Sequence, residues 1–279
     1  MTEPRRWIEV RVRAPAETRD DVVAALVSCG APGVQELASE LLTHVSDDTD
    51  LAALARAVEA ASPGAAVEHR ALEEGDWSAP ARARVGVQRV GRIAVGPPWL
   101  AHDIAGAELP IVIEPAMAFG TGDHETTRGM LALLQQVVQP GDFVADLGAG
   151  SAVLAIAAAR LGAARVAAIE IDPQAIGNAE ENVALNGVAA RVSVIEGDAA
   201  VLLPLVAPVN VILANIISSV LGALSPVMRA ALAPGGRAVI GGILVSERED
   251  ALGWLARDGW SVETELREGD WWSSVIAPR

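Results

Sequence analysis

Apolar positions recur at two spacings along this chain, and the succession of the two outlines its elements. Ile8-Glu9-Val10-Arg11-Val12 alternates apolar and polar side chains, the period of a strand with one buried face, so residues 7–12 are predicted as a strand. Residues 17–28 carry apolar side chains at Val22, Val23, Leu26 and Val27, which predicts a helix. Gly30-Ala31-Pro32-Gly33 is a turn, 34–37 and 41–45 read as a strand pair, 50–61 is a second helix closed by Pro63-Gly64, and 67–72 is a further strand. The order βαββαβ predicts a small ferredoxin-like α+β sandwich over residues 1–72, a fold that often serves recognition. Residues 73–104 change character: Trp77, Arg82, Arg84, Arg89, Arg92 and Trp99 are spread among short strand-like stretches. They read as a connector packed on the second domain, with the tryptophans as packing anchors.

From residue 105 strands and helices alternate. A strand at 109–113 is followed by a loop with Gly120 and Gly122, then by a helix with Asp123 as its expected cap, ending near 138 before Pro140-Gly141. Further strands are predicted to end at Asp146 and Glu170, and over 192–195, 209–214 and 236–241. Helices are predicted over 151–161, 173–186, 216–232 and 247–258, and a closing hairpin over 260–266 and 271–277. This alternation implies a mostly parallel, Rossmann-like α/β sheet with helices on both faces and an antiparallel end, spanning 105–279.

The stretch from Asp142 to Asp172 is a strand, a glycine turn (Gly148-Ala149-Gly150), a helix and a second strand: a βαβ unit suited to a nucleoside-like cofactor. Glu170, twenty residues past Gly150, stands where a carboxylate accepts hydrogen bonds from ribose hydroxyls. A dinucleotide turn places a third glycine where this chain has Val153, which argues against a nicotinamide-dependent oxidoreductase. Asp146, two residues before the turn, would repel a phosphate and attract a cation such as the amino group or sulfonium of S-adenosylmethionine. Asp146, Glu170, Asp198 and Asn215 each end a predicted strand and are expected to converge on one rim of the sheet.

Composition narrows the setting. A formal charge of −15 on 279 residues disfavours direct nucleic-acid contact and favours a basic partner. The single Cys29 excludes an internal disulfide and suits the cytoplasm. No apolar run approaches the ~18 residues of a membrane span, and no signal core is present at the start. A cytoplasmic monomer without membrane contact is expected. The chain has neither Lys nor Tyr.

Several segments carry a family resemblance. Phe119–Thr127 (FGTGDHETT), the turn segment DLGAGSAVLAIAAARLGA, IEIDPQAIGNAEENVALNG, LANII at 213–217, Gly242-Ile243-Leu244, EEGDW with VGPPW, and EGDWWS together resemble the ribosomal protein L-eleven methyltransferase family (PrmA). The likeness covers nearly the whole chain. It implies a seven-stranded class I methyltransferase sheet, S-adenosylmethionine as cofactor and a basic ribosomal protein as substrate. It also implies a mobile N-terminal recognition domain over 1–72. Thr127, Gly148, Glu170 and Asn215 would then be cofactor contacts, Asp198 would lie near the adenine, and Gly150 under the methionine moiety. Two departures stand out: Glu170 where Asp is usual, which keeps the carboxylate, and Ala152 where Gly is usual, which removes backbone freedom beside the methionine end.

Methyl transfer to an amine is an in-line displacement in which the protein mainly positions the partners. Asn215 is the residue expected to orient the amine; His124 and Asp123 are candidates for a base but read better as loop-shaping residues. A related methyltransferase acting on another protein's lysine or on a small molecule, and a non-catalytic cofactor-binding protein, are the competing readings.

Overall fold

The computed structural model describes residues 7–15, 18–31, 34–36, 40–47, 49–72, 86–115 and 124–279. The chain divides into two compact units, Met1–Arg84 and Val85–Arg279.

The first unit has strands β1 (Trp7–Arg13), β2 (Val34–Glu36), β3 (Leu41–Ser46) and β4 (Ala66–Leu72) and helices α1 (Arg19–Ser28) and α2 (Leu51–Ala61). The strand order is β2-β3-β1-β4, with β1 antiparallel to both neighbours, as the βαββαβ pattern requires. Period-two alternation sends Val10, Val12, Leu41 and Val45 into a core with Val22, Leu26, Leu54 and Val58 from the helices. The other side chains of the same strands form ion pairs, including Arg11 with Glu9 and Glu40 at 2.9 and 2.7 Å. Asp50 caps α2 by accepting the N–H groups of Ala52 and Ala53.

The second unit opens with β5 (Gln88–Val90), β6 (Ile93–Gly96) and β7 (Leu109–Val112), a small sheet linked by the short helix α3 (Ala101–Ile104). Ile93, Val95 and Ile111 are buried in one cluster with Met130 and Leu134. Residues 86–104 thus pack within this unit. Trp99 is 38% exposed, less of an anchor than expected. Trp77, Arg82 and Arg84 lie outside the described residues, as do Pro32-Gly33 and the loop at 116–123.

The large sheet has strands β8 (Phe143–Leu147), β9 (Arg165–Glu170), β10 (Val192–Glu196), β11 (Val209–Asn215), β12 (Leu232–Leu244), β13 (Trp260–Glu268) and β14 (Trp271–Pro278). Their order is β10-β9-β8-β11-β12-β14-β13. The first five run parallel, and β14 is antiparallel to β12 and β13. Val144, Val211 and Leu213 face a core shared with helices α4 (Glu125–Val137), α5 (Val153–Arg160) and α6 (Pro173–Leu185). Their neighbours Ala145, Ile212 and Ala214 face the opposite core, against α7 (Ala199–Val206), α8 (Ser218–Ala231) and α9 (Arg248–Arg257). Helix α7 carries Pro204 inside it, which hides its pattern in the sequence. The strand order reverses between β8 and β11, and there the carboxyl ends of the strands open a crevice. Among the described residues no helix is long and apolar enough to cross a membrane, and no cluster of side chains could hold a metal.

Candidate functional site

The crevice is a cavity of about 650 Å³, within the usual range for a small-molecule site. Its floor is the turn after β8. Gly148 sits at φ 68°, and a Cβ there would lie 2.5 Å from Cγ2 of Ile216, so only glycine fits. The N–H groups of Gly148 and Ala149 both donate to the carbonyl of Ile169, tying the turn to β9. Ala152 ends the turn in the left-handed region, at φ 64°. That conformation costs an L-residue about 1–2 kcal/mol. Ala152 is fully buried and is not part of the cavity wall, so its substitution for glycine strains the backbone rather than a ligand contact.

At the end of β9, Glu170 lines the cavity and is engaged by the backbone around it. Its Oε2 accepts the N–H of Gly150 at 2.8 Å, and its Oε1 accepts those of Ile171 and Asp172 at 2.8 and 2.9 Å. A carboxylate oxygen has a second lone pair, so capacity remains for a ligand hydroxyl.

At the end of β11, Asn215 joins a chain of polar contacts. The backbone N–H of Thr126 points at Nδ1 of His124, which places the ring proton on Nε2. The Thr126 hydroxyl, 2.8 Å from the same nitrogen, then donates to it and accepts Nδ2 of Asn215 at 3.3 Å. Oδ1 of Asn215 and Oγ1 of Thr127 are buried without partners among the described residues. Both residues line the cavity. His124 is the cap of α4, the expected Asp123 lying outside the described residues, and its ring packs edge-on against Trp271 at 5.2 Å.

Two of the four expected strand-end groups are not among the residues lining the cavity. Asp146 is buried behind the turn, its Oδ2 accepting the N–H of Ala155 at 2.9 Å and its Oδ1 unpartnered among the described residues. Burial pushes its carboxyl up to about 7, against the Ala155 hydrogen bond and with the Glu170 charge adding to the rise. It is a buried carboxyl under the floor rather than an exposed anion. Asp198 caps α7 through Ala200 N–H at 2.8 Å and is absent from the wall. Its strand, β10, is the outermost on that side of the sheet. Thr126, Ile216, Gly242 and Trp271 line the cavity without having been singled out from sequence. Each lies inside or beside a segment that carries the family resemblance, which was the available signal.

The cavity fits a nucleoside sulfonium on its own features: unpartnered Thr127 and Asn215 oxygens, the Glu170 carboxylate in its wall, and a turn where Gly148 admits no Cβ.

Comparison with known proteins agrees with this geometry. Residues 6–278 match the family described as "Ribosomal protein L11 methyltransferase (PrmA)". The ribosomal protein L11 methyltransferase of Thermus thermophilus is 37% identical over 95% of this chain and 97% of its own length. That of Symbiobacterium thermophilum is 40% identical over 75% of this chain and 67% of its own. The crystal structure of a ribosomal protein L11 methylase from Lactobacillus delbrueckii subsp. bulgaricus superposes with a TM-score of 0.64 at 28% identity, covering 69% of this chain and 98% of that one. The chain therefore belongs to the ribosomal protein L11 methyltransferase (PrmA) family.

Proposed function

We propose that this methyltransferase, which uses S-adenosylmethionine to methylate ribosomal protein L11, acts on amines of that protein: lysine side chains, the N-terminal α-amine, or both. The observation that carries the reading is the meeting of Glu170, Asn215, Thr127 and the 148–150 turn around one cavity at the sheet's switch point. When bound, S-adenosylmethionine supplies a methyl group on a positively charged sulfur that is its own leaving group. The chain's residues then have to hold and orient. Glu170 takes the ribose hydroxyls, Gly148 and Gly150 run under the methionine portion, and Thr127 and Asn215 offer their unpartnered oxygens.

An amine must be neutral to attack. A lysine costs about 4–5 kcal/mol to deprotonate at pH 7, an α-amine about 1 kcal/mol. The apolar wall of Ile216, Ile217, Val220 and Trp271 lowers that cost by disfavouring the ammonium form. Asn215 is the orienting residue: Thr126 holds its Nδ2, which leaves Oδ1 to accept an amine N–H. His124 is structural, since Nδ1 is occupied by Thr126.

The net charge of −15 suits a basic substrate. We assign recognition of that substrate to residues 1–72, and we take the enzyme as a cytoplasmic monomer that touches neither membrane nor nucleic acid directly. Purified L11 incubated with enzyme and S-adenosylmethionine tests the reading. Peptide mass spectrometry should place every added methyl on an amine; methyls on arginine or carboxylate side chains, or none, would overturn it.

A further inference from the structure

Three asparagines one turn apart, Asn178 and Asn182 on α6 and Asn186 at its C-cap, are all buried. A helix face turned inward is ordinarily apolar, so three buried amides call for partners. They find them on the segment that leaves β7. Asn186 accepts the N–H of Val112 at 2.9 Å and donates to its carbonyl at 2.6 Å. Asn178 donates to the carbonyl of Glu114 at 3.1 Å. Asn182 differs from both. Its Oδ1 accepts the N–H of Glu114 at 2.8 Å, and its Nδ2 donates to the carbonyl of Ser151 at 3.1 Å. Its amide orientation is fixed, because a flip would set donor against donor and acceptor against acceptor.

Ser151 follows Gly150 directly, and Glu114 precedes the segment that leads to the His124–Thr127 side chains. Among the described residues Asn182 is thus the side chain that bonds the glycine turn to the root of that segment. We infer that, given donor binding in the cavity, Asn182 is a positioning residue for methyl transfer: one amide sets the glycine turn that floors the cavity against the chain leaving β7. Asn178 and Asn186 satisfy backbone groups on the β7 side and do not touch the turn. Asn182 shares that task through the Glu114 N–H; its second bond, to Ser151, is what sets it apart from them.

The test compares Asn182→Ala and the milder Asn182→Ser with Asn186→Ala and Asn186→Ser, pairing variants of equal thermal stability. S-Adenosylhomocysteine is titrated calorimetrically into each full-length enzyme. The Asn182 variants should bind at least about tenfold more weakly than wild type, while the Asn186 variants stay within about twofold, because misplacement of the turn acts on the ligand and loss of a β7 contact does not. Equal losses at the two positions would overturn the role of Asn182 alone. A wild-type enzyme that fails to bind S-adenosylhomocysteine would overturn the donor site itself, and the role with it. A second measurement needs no variant. The Glu114 amide lies outside the cavity wall but bonds to Asn182, so saturating wild type with S-adenosylhomocysteine should slow its hydrogen exchange several-fold. Unchanged exchange at Glu114 would also overturn the proposal.

Discussion

Glu170 reaches back to the glycine turn, its Oε2 accepting the Gly150 N–H at 2.8 Å while Oε1 serves Ile171 and Asp172. The extra methylene of glutamate makes that span possible. Glu170→Asp should lose the Gly150 contact and about 1.5–3 kcal/mol of stability, the range for a hydrogen bond to a charged group, yet keep a carboxylate at the strand end. Glu170→Ala also removes the carboxylate proposed to take the ribose hydroxyls. Its affinity for S-adenosylhomocysteine should fall by about 30–150-fold, equivalent to about 2–3 kcal/mol. Isothermal titration of both variants checks this; an alanine variant that binds as wild type does would remove Glu170 from the site.

Among the described residues Asn215 makes one side-chain hydrogen bond, to Thr126 at 3.3 Å, and its Oδ1 has no partner. Asn215→Ala should therefore cost little in folding, about 1 kcal/mol or less. If Oδ1 orients the amine, turnover should fall by about a hundredfold or more with the melting temperature nearly unchanged, the size of effect seen when one catalytic hydrogen-bonding group is removed. Radiolabel transfer to L11, read beside a thermal melt, separates the two effects. Near-wild-type turnover would end the assigned role.

How much of the fold and the site is legible in the sequence depends on how local each signal is. The parallel strands read clearly because each is an apolar run stopped by a polar residue or a glycine, and Gly148, Gly150, Glu170 and Asn215 are legible from those stops. Asp198 looks equivalent to Glu170 by the same rule. What separates them is sheet order: β10 is an outer strand and its end lies away from the switch point, which no local pattern encodes. The sequence pattern starts β12 at 236, because Pro234-Gly235-Gly236 looks like a break; the strand runs through it from Leu232. Thr126 and Trp271 depend on the β13–β14 hairpin meeting the start of α4, a long-range contact made by the His124–Trp271 ring pair and the Arg128–Glu268 ion pair.

Asp146 carries a pH dependence with a definite sign. Its carboxyl titrates at 3.8 in an ordinary setting and at about 7 in the folded protein, raised mainly by burial. Between those values the folded chain holds a proton that the unfolded chain has released, so stability falls as pH rises across that window and is flat below it. At 1.36 kcal/mol per unit, the cost approaches about 4 kcal/mol above pH 7. Asp146→Asn keeps the acceptor for Ala155 and stays neutral. Denaturant midpoints should match wild type near pH 4, where both groups are uncharged, and exceed it by a growing margin toward pH 8. A variant less stable than wild type at pH 8 would show that the buried carboxylate is compensated by groups other than Ala155.

The absence of lysine yields a test of the amine assignment that needs no substrate protein. An enzyme that methylates amines, and has no lysine side chain of its own, can modify itself only at its α-amine. A nitrogen of that kind accepts at most three methyl groups. Purified enzyme held for hours with excess S-adenosylmethionine should therefore show no more than three methyl additions by intact mass, all on the N-terminal peptide. Its 21 arginines and 36 carboxylate side chains serve as internal controls. A fourth addition, or any methyl mapped away from the N-terminus, would mean that the site accepts a nucleophile other than an amine. The apolar wall of Ile216, Ile217, Val220 and Trp271 would then have to be explained by some other chemistry.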